Sequence, residues 1–251
     1  DALLGREKVL PIKELFGPGI KGRKICITGA GGSIGSEIAR QIFKLEPSCI
    51  ILLDNSEPSL YRIYEDLKKN NLDNIDIKAY LSNACDKNKI KEIFHKQKVE
   101  IIFHAAAYKH VPLVEENPLE GLNNNIFSTL NICETALSAN VKKVILISSD
   151  KAVRPSNIMG VSKRISELII QAFAEDQKKE KSNKNQSQCL FSMVRFGNVL
   201  DSSGSVIPLF KKQISEGGPI TLTNKGMTRY FMTIEEAAQL VIQSSFLADG
   251  G

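Results

Sequence analysis

Lys24-Ile25-Cys26-Ile27-Thr28-Gly29-Ala30-Gly31-Gly32-Ser33-Ile34-Gly35-Ser36-Glu37-Ile38-Ala39-Arg40-Gln41-Ile42 reads as an apolar strand, a glycine turn and an amphipathic helix, in that order. That is the context a dinucleotide-binding fingerprint requires. Gly29 would make the tight turn. Gly32, with Ser33 and Ile34, would bring backbone N–H groups to a pyrophosphate at the helix N-terminus, and Gly35 would let helix and strand pack closely. Downstream, Ile50-Ile51-Leu52-Leu53 is a second buried strand, and it ends in Asp54, nineteen residues after Gly35. A carboxylate there accepts hydrogen bonds from the adenosine ribose and repels a 2′-phosphate, which favours NAD over NADP. Arg62 could still admit NADP, and the plainer reading is that Asp54 only caps the turn before Ser56-Glu57-Pro58.

The pattern continues along the chain. A helix over 59–69 leads to a third strand near 75–81, after which Asn83, Ala84 or Asp86 would meet the adenine, an ordinary turn being the alternative. A helix over 87–97 precedes a strand over 99–103, closed by His104-Ala105-Ala106-Ala107. Ala105 and Ala106 leave room for a flat cofactor, and His104 reads as a structural histidine. Tyr108-Lys109-His110-Val111-Pro112 then crosses the carboxyl edge, where Lys109 and His110 could meet an anionic or sugar ligand. Three asparagines, 123 to 125, fit a helix interior poorly, so a specific hydrogen bond is expected, at Asn125 first, which is also a candidate substrate contact. A fifth strand over 144–147, a helix over 162–174, an apolar-free stretch over 175–188 read as helix end and mobile loop, and a sixth strand over 190–194 follow. After Ser202-Ser203-Gly204-Ser205 come a helix over 206–215, a strand over 220–223 and a final helix opened by Thr233.

Alternating strands and helices with right-handed crossovers make an α/β, doubly wound parallel sheet of Rossmann type. Residues 1–20 are expected as an arm or linker and 21–194 as the cofactor-binding domain with the catalytic residues. Residues 195–251 are expected as a small substrate-binding lobe interleaved with it. The 251 residues carry a formal charge of +5 with the lysines dispersed, which permits an anionic small ligand and gives no footprint for nucleic acid. The five cysteines show no metal or CxxC spacing and fall mostly in apolar runs, as expected of reduced core thiols, so no metal is expected. No apolar run reaches membrane-span length, so this piece is expected to be soluble.

Ser148-Ser149-Asp150-Lys151 closes the fifth strand, with Met159-Gly160-Val161-Ser162-Lys163 eight residues on. Polar residues at that edge face ligand in this architecture. Asp150 as proton donor and Lys151 as acceptor could act on both sides of one bond. The plainer alternative is an exposed ion pair in a turn.

These motifs together resemble the extended short-chain dehydrogenase/reductase superfamily. The resemblance narrows to the polysaccharide-biosynthesis nucleotide-sugar 4,6-dehydratases through Gly29-Ala30-Gly31-Gly32-Ser33-Ile34-Gly35-Ser36-Glu37, His104-Ala105-Ala106-Ala107-Tyr108-Lys109-His110-Val111-Pro112, Ser149-Asp150-Lys151-Ala152-Val153, Asn157-x-Met159-Gly160-x-x-Lys163-Arg164, Val194-Arg195-Phe196-Gly197-Asn198-Val199-Leu200 and Met227-Thr228-Arg229-Tyr230-Phe231-Met232. It implies conversion of UDP-N-acetylglucosamine to a UDP-4-keto-6-deoxy sugar, with NAD(P) regenerated in each cycle. By the match Lys151 takes the C5 proton, Asp150 protonates the departing 6-hydroxyl, Ser149 orients the 4-oxygen and Lys163 bonds the nicotinamide ribose. Lys151 must then be neutral when it acts, by desolvation and the nearby Lys163, and Asp150 must be protonated, by burial. Arg195, Asn198 and Arg229 are expected at the UDP phosphates and uracil, a structural salt bridge being the alternative for each.

Three departures stand out. Met159 occupies the superfamily's tyrosine position, and a thioether accepts no proton at neutral pH; long members of the family also carry methionine there, leaving Asp150, Lys151 or a water for the 4-hydroxyl proton. Asn83 and Asp201 stand where the family has Asp and Gly. The resemblance of Leu3-Leu4-Gly5-Arg6 to the family's linker segment implies a membrane-anchored parent whose catalytic part lies at the cytoplasmic face of the inner membrane; a homo-oligomer is expected separately. The rival readings are a UDP-sugar 4-epimerase, which needs no proton removal at C5, and a non-catalytic NAD-sensing domain.

Overall fold

The computed structural model describes residues 4–12, 14–71, 75–180, 188–202, 206–222, 224, 226, 228–248 and 250. Six parallel strands form one sheet: β1 (Lys24–Thr28), β2 (Cys49–Asp54), β3 (Asp76–Leu81), β4 (Ile101–His104), β5 (Lys143–Ser149) and β6 (Leu190–Phe196), in the order β3-β2-β1-β4-β5-β6. Its central strands are apolar runs because both faces are covered. Ile25, Ile27, Ile50, Leu52, Ile101, Phe103 and Ile145 join the core on one face, whereas Cys26, Ile51, Leu53, Ile102, Val144 and Leu146 join that on the other. Successive side chains thus feed opposite layers. Edge strand β3 is half-exposed and carries Asp76 and Lys78, charges that blunt an open edge. Four of the cysteines are buried and all five are free thiols.

Helices α1 (Ser33–Phe43) and α2 (Glu57–Lys69) cover the first face, and α3 (Lys87–Gln97), α6 (Ser128–Ser138) and α7 (Ile158–Glu180) the second. Short helices α4 (Val111–Glu116) and α5 (Pro118–Leu122) and a π-helical turn, Asn123–Phe127, bridge β4 to α6. The C-terminal part adds α8 (Val206–Ser215), α9 (Ile234–Leu247) and a two-stranded parallel sheet of β7 (Asn198–Val199) and β8 (Phe231–Met232).

Several expected boundaries move. Helix α7 begins at Ile158, placing Met159 and Gly160 in its first turn, and it runs on to Glu180. The charged stretch after Ala174 continues the helix because Glu, Gln and Lys are good helix formers, and Gln177 on its inner side accepts from the Cys189 N–H. The rest of that stretch, 181–187, lies outside the described residues, as do Ser203, Gly204, Ser205, Thr223 and Met227. Residues 220–222 form no strand. Strand β6 runs to Phe196, past the expected boundary at 194. Ala238, Val241 and Ile242 of α9 share the core with Ile38 and Ile42 of α1, so α9 belongs to the sheet's own layers. The arm is tied to α9 by Arg6 to Glu236 at 2.7 Å, by the Val9 N–H to Glu236 at 2.9 Å and by the Ile12 N–H to Gln243 at 2.8 Å.

Candidate active site

Because β1 lies between β2 and β4, the chain leaves β1 and β4 toward opposite sides and opens a crevice at their carboxyl ends. Gly29 sits at φ +65° with space only for hydrogen, since a Cβ would lie 2.6 Å from the Ala106 nitrogen. A Cβ on Gly35 would collide with the Gly29 carbonyl. The N-cap of α1 is Gly32, which has no side chain to cap the helix start, and that start opens on the crevice. A cavity of about 540 Å³ joins Gly29, Gly32, Ser33, Asp54, Asn83, Ala84, Ala105 and Ala106. Asp54 accepts from the N–H groups of Gly31 and Ser56, each at 2.8 Å, so it caps the turn and lines the cavity at once. Asn83 accepts from the Cys85 N–H at 2.9 Å in a local turn. Arg40 and Arg62 line the same wall. Glycines that no Cβ could replace, beside an uncapped helix start and a carboxylate, fit a dinucleotide. Ile34 and Gly35 face an adjoining cavity of about 560 Å³, which Leu113 and Val114 close on the apolar side.

A third cavity, about 330 Å³, gathers Ser149, Lys151, Met159, Lys163 and Asn198 with Lys109 and His110. Beyond β5 the chain makes a 3-10 turn, Asp150–Ala152, capped by Ser149, whose hydroxyl accepts from the Lys151 N–H at 3.2 Å and donates to Asp150 Oδ1 at 2.9 Å. Lys151 Nζ donates to the same oxygen at 3.2 Å and to Asn198 Oδ1 at 3.3 Å. The burial expected around this pair is absent, the side chains being 47% exposed for Asp150 and 36% for Lys151. Desolvation falls on Lys163 instead. Its amine donates to the Ile147 carbonyl at 2.8 Å, and burial pushes its pKa down to about 8 against the opposing pull of Glu167. Desolvation and Lys151 also lower Lys109, and desolvation and Lys109 lower His110. Met159 is buried and lines the cavity. His104 bonds Thr28 at 2.7 Å and Thr129 at 3.3 Å, and burial with Lys163 holds it neutral, its pKa about 3.

Three expected substrate contacts are placed elsewhere. Asn125 is buried, and its amide accepts from the Tyr108 N–H at 2.7 Å and donates to the Tyr108 carbonyl and the Ser162 hydroxyl, each at 2.9 Å. This is the specific hydrogen bonding expected of it, and it clamps the loop after β4 to α7, leaving no free amide group for a sugar. Arg195 forks onto Glu167 at 2.6 and 2.5 Å, the salt bridge weighed as its alternative. Arg229 is exposed, donates only to the Thr228 carbonyl among described contacts, and borders none of the three cavities. Asp201, where the resembled family has glycine, takes φ +55°, the left-handed conformation that explains the glycine.

Glu167 was not singled out from the sequence. A signal exists: Met159, Lys163, Glu167, Ile170 and Ala174 recur at helical spacing on the buried face of α7, and two of the five are charged. Ionisable residues on such a face are costly unless they are paired.

A family described as polysaccharide biosynthesis protein matches residues 25–251. The capsular polysaccharide biosynthesis protein CapD of Staphylococcus aureus is 48% identical over the whole chain, which covers 40% of that protein. A UDP-glucose 4-epimerase of Rickettsia rickettsii is 35% identical over 88% of the chain and 62% of its own length. Among solved structures, Pen from Bacillus thuringiensis superposes with a TM-score of 0.83 at 33% identity, over 92% of this chain and 70% of that one. The dTDP-glucose 4,6-dehydratase DesIV of Streptomyces venezuelae, solved with NAD bound, shares the fold with a TM-score of 0.74 at 19% identity, over 87% and 70% of the two chains.

Proposed function

The chain belongs to the polysaccharide biosynthesis protein family, and from that premise we propose that it is the catalytic part of an NAD-dependent nucleotide-sugar 4,6-dehydratase. Its substrate on this reading is UDP-N-acetylglucosamine and its product a UDP-4-keto-6-deoxy sugar. The observation that carries the reading is the corner at the end of β5, where Lys151, on the wall of the cavity that also holds Lys163, donates at 3.2 Å to the adjoining acid, Asp150.

Gly29, Gly32, Ser33, Ile34, Gly35 and Asp54 would hold NAD, with Asn83, Ala84, Ala105 and Ala106 beside it and Lys163 at the nicotinamide ribose. Held there, the cofactor would supply the hydride acceptor that oxidation at C4 needs and the hydride source that C6 needs. Ser149 orients the 4-oxygen. The proton leaving that oxygen goes to Asp150, Lys151 or a water, because Met159 cannot take it. Once C4 is a ketone the C5 hydrogen is acidic; Lys151 removes it and Asp150 protonates the departing 6-hydroxyl. After a hydride reaches C6, C5 takes a proton back from the Lys151 ammonium, and the proton released from the 4-hydroxyl restores the Asp150 acid directly or through water, so the two protons taken from the sugar equal the two given up. A carboxylate with an ammonium and a carboxylic acid with an amine contain the same protons, and one transfer across 3.2 Å interconverts them. A sugar that displaces water from this corner penalises the charged form and favours the neutral acid and base. This supplies what burial of the pair alone does not.

No helix among the described residues is long and apolar enough to cross a membrane. A membrane-anchored, homo-oligomeric parent acting at the cytoplasmic face remains part of the proposal; a Methanocaldococcus jannaschii relative, 42% identical, is named a membrane protein. The second reading, a 4-epimerase, is favoured by the Rickettsia relative. Incubation with UDP-N-acetylglucosamine separates the two: the product should have lost one water, whereas an unchanged mass with inverted C4 would establish the epimerase.

A further inference from the structure

Resting on the dehydratase reading, we infer that Glu167 is the positioning residue that fixes the reactive ends of β5 and β6 and the Lys163 turn of α7 in one geometry. Its carboxyl is fully buried. One oxygen accepts from the Ser148 hydroxyl at 2.7 Å and Arg195 Nε at 2.6 Å; the other accepts from Arg195 Nη2 at 2.5 Å and Arg164 Nη1 at 3.0 Å. Each partner leads to a group in the cavity. Ser148 directly precedes Ser149, Asp150 and Lys151. Arg195 pairs with Ser148 across the β5–β6 register and lies shortly before Asn198, which holds Lys151. Lys163 is one helical turn before Glu167 on the same face.

A buried carboxylate is an expensive way to fill a core position that an apolar residue could occupy. What it adds is direction: backbone pairing and a shared apolar core join β5, β6 and α7 along their lengths, and this one side chain ties together their ends at the cavity. It also supplies the anion that keeps Lys163 charged. Around that amine are the Ile147 carbonyl from β5 and the neutral His104 from β4, and Lys109, His110 and Lys151 share its cavity. Glu167 opposes the desolvation of Lys163, so its loss moves the amine's titration to lower pH.

The test is Glu167→Gln, which keeps the shape and removes the charge. Titration of Lys163 Nζ by NMR, with no sugar present, should move to lower pH. With UDP-N-acetylglucosamine, kcat should fall about 100-fold while KM changes little, as expected for a displaced reacting group. The alkaline limb of the pH profile should shift in the same direction as the titration. Should the glutamine variant fail to fold, Ser148→Ala removes only the bond from the reactive strand, and kcat should fall about tenfold with the melting temperature held. A folded Glu167→Gln with wild-type kcat and an unmoved Lys163 titration overturns the inference, as does Ser148→Ala with wild-type kcat. Absence of a keto-sugar from the unmodified chain would instead remove the dehydratase reading, and the Lys163 titration would still report on Glu167.

Discussion

Lys151 and Gly29 carry opposite kinds of constraint. Lys151 is held by two hydrogen bonds at the mouth of the cleft, 36% exposed, so its removal leaves the core untouched. Lys151→Ala should keep its fold and its NAD affinity and form no detectable keto-sugar; calorimetric NAD titration beside product mass checks this, and retained turnover would take Lys151 out of the mechanism. At Gly29 the backbone is left-handed and a Cβ meets the Ala106 nitrogen at 2.6 Å, so Gly29→Ala should weaken NAD binding at least tenfold and lower stability by about 2 kcal/mol. Denaturant melts with and without NAD check it. The glycines and Asp54 could be read from the sequence because their signals are local. For Asn125 and Arg195 the sequence offers the kind of interaction, a fixed hydrogen bond and a salt bridge, but not the partner, which tertiary packing sets: Tyr108 and Ser162 for the one, Glu167 for the other.

At the scale of elements, the strands announced themselves through apolar runs that period-2 alternation divides between two cores. Helix ends did so less well. Apolar spacing in α7 stops being informative after Ala174, yet helix propensity carries the chain to Glu180. The N-terminal arm held on α9 has a pH signature. Arg6 foremost, with the N–H groups of Thr233 and Val9, holds the Glu236 carboxyl down to about 2. A carboxyl so depressed stabilises the fold fully above its unfolded pKa near 4.5 and loses that contribution as pH falls through about 2. Glu236→Gln should therefore cost roughly 1.5 kcal/mol at pH 7, and the gap from wild type should close between pH 4.5 and 2. Urea melts across that range check it; a gap constant with pH would mean the arm is held by other contacts.

For the whole molecule, the order β3-β2-β1-β4-β5-β6 explains why residues far apart in sequence meet. The carboxyl ends of β1 and β4 flank the dinucleotide crevice, and those of β5 and β6 carry the acid–amine corner beside it. The chain spans 40% of the S. aureus relative. On the dehydratase reading, one corner removes a proton at C5 while a hydride leaves C4 and comes back at C6. UDP-N-acetylglucosamine deuterated at C4, turned over in ordinary water, reads this directly by NMR of the product. Deuterium should appear at C6, and a parallel run of unlabelled sugar in deuterated water should place one solvent deuteron at C5. Deuterium returned to C4, with no solvent label at C5, would contradict the account.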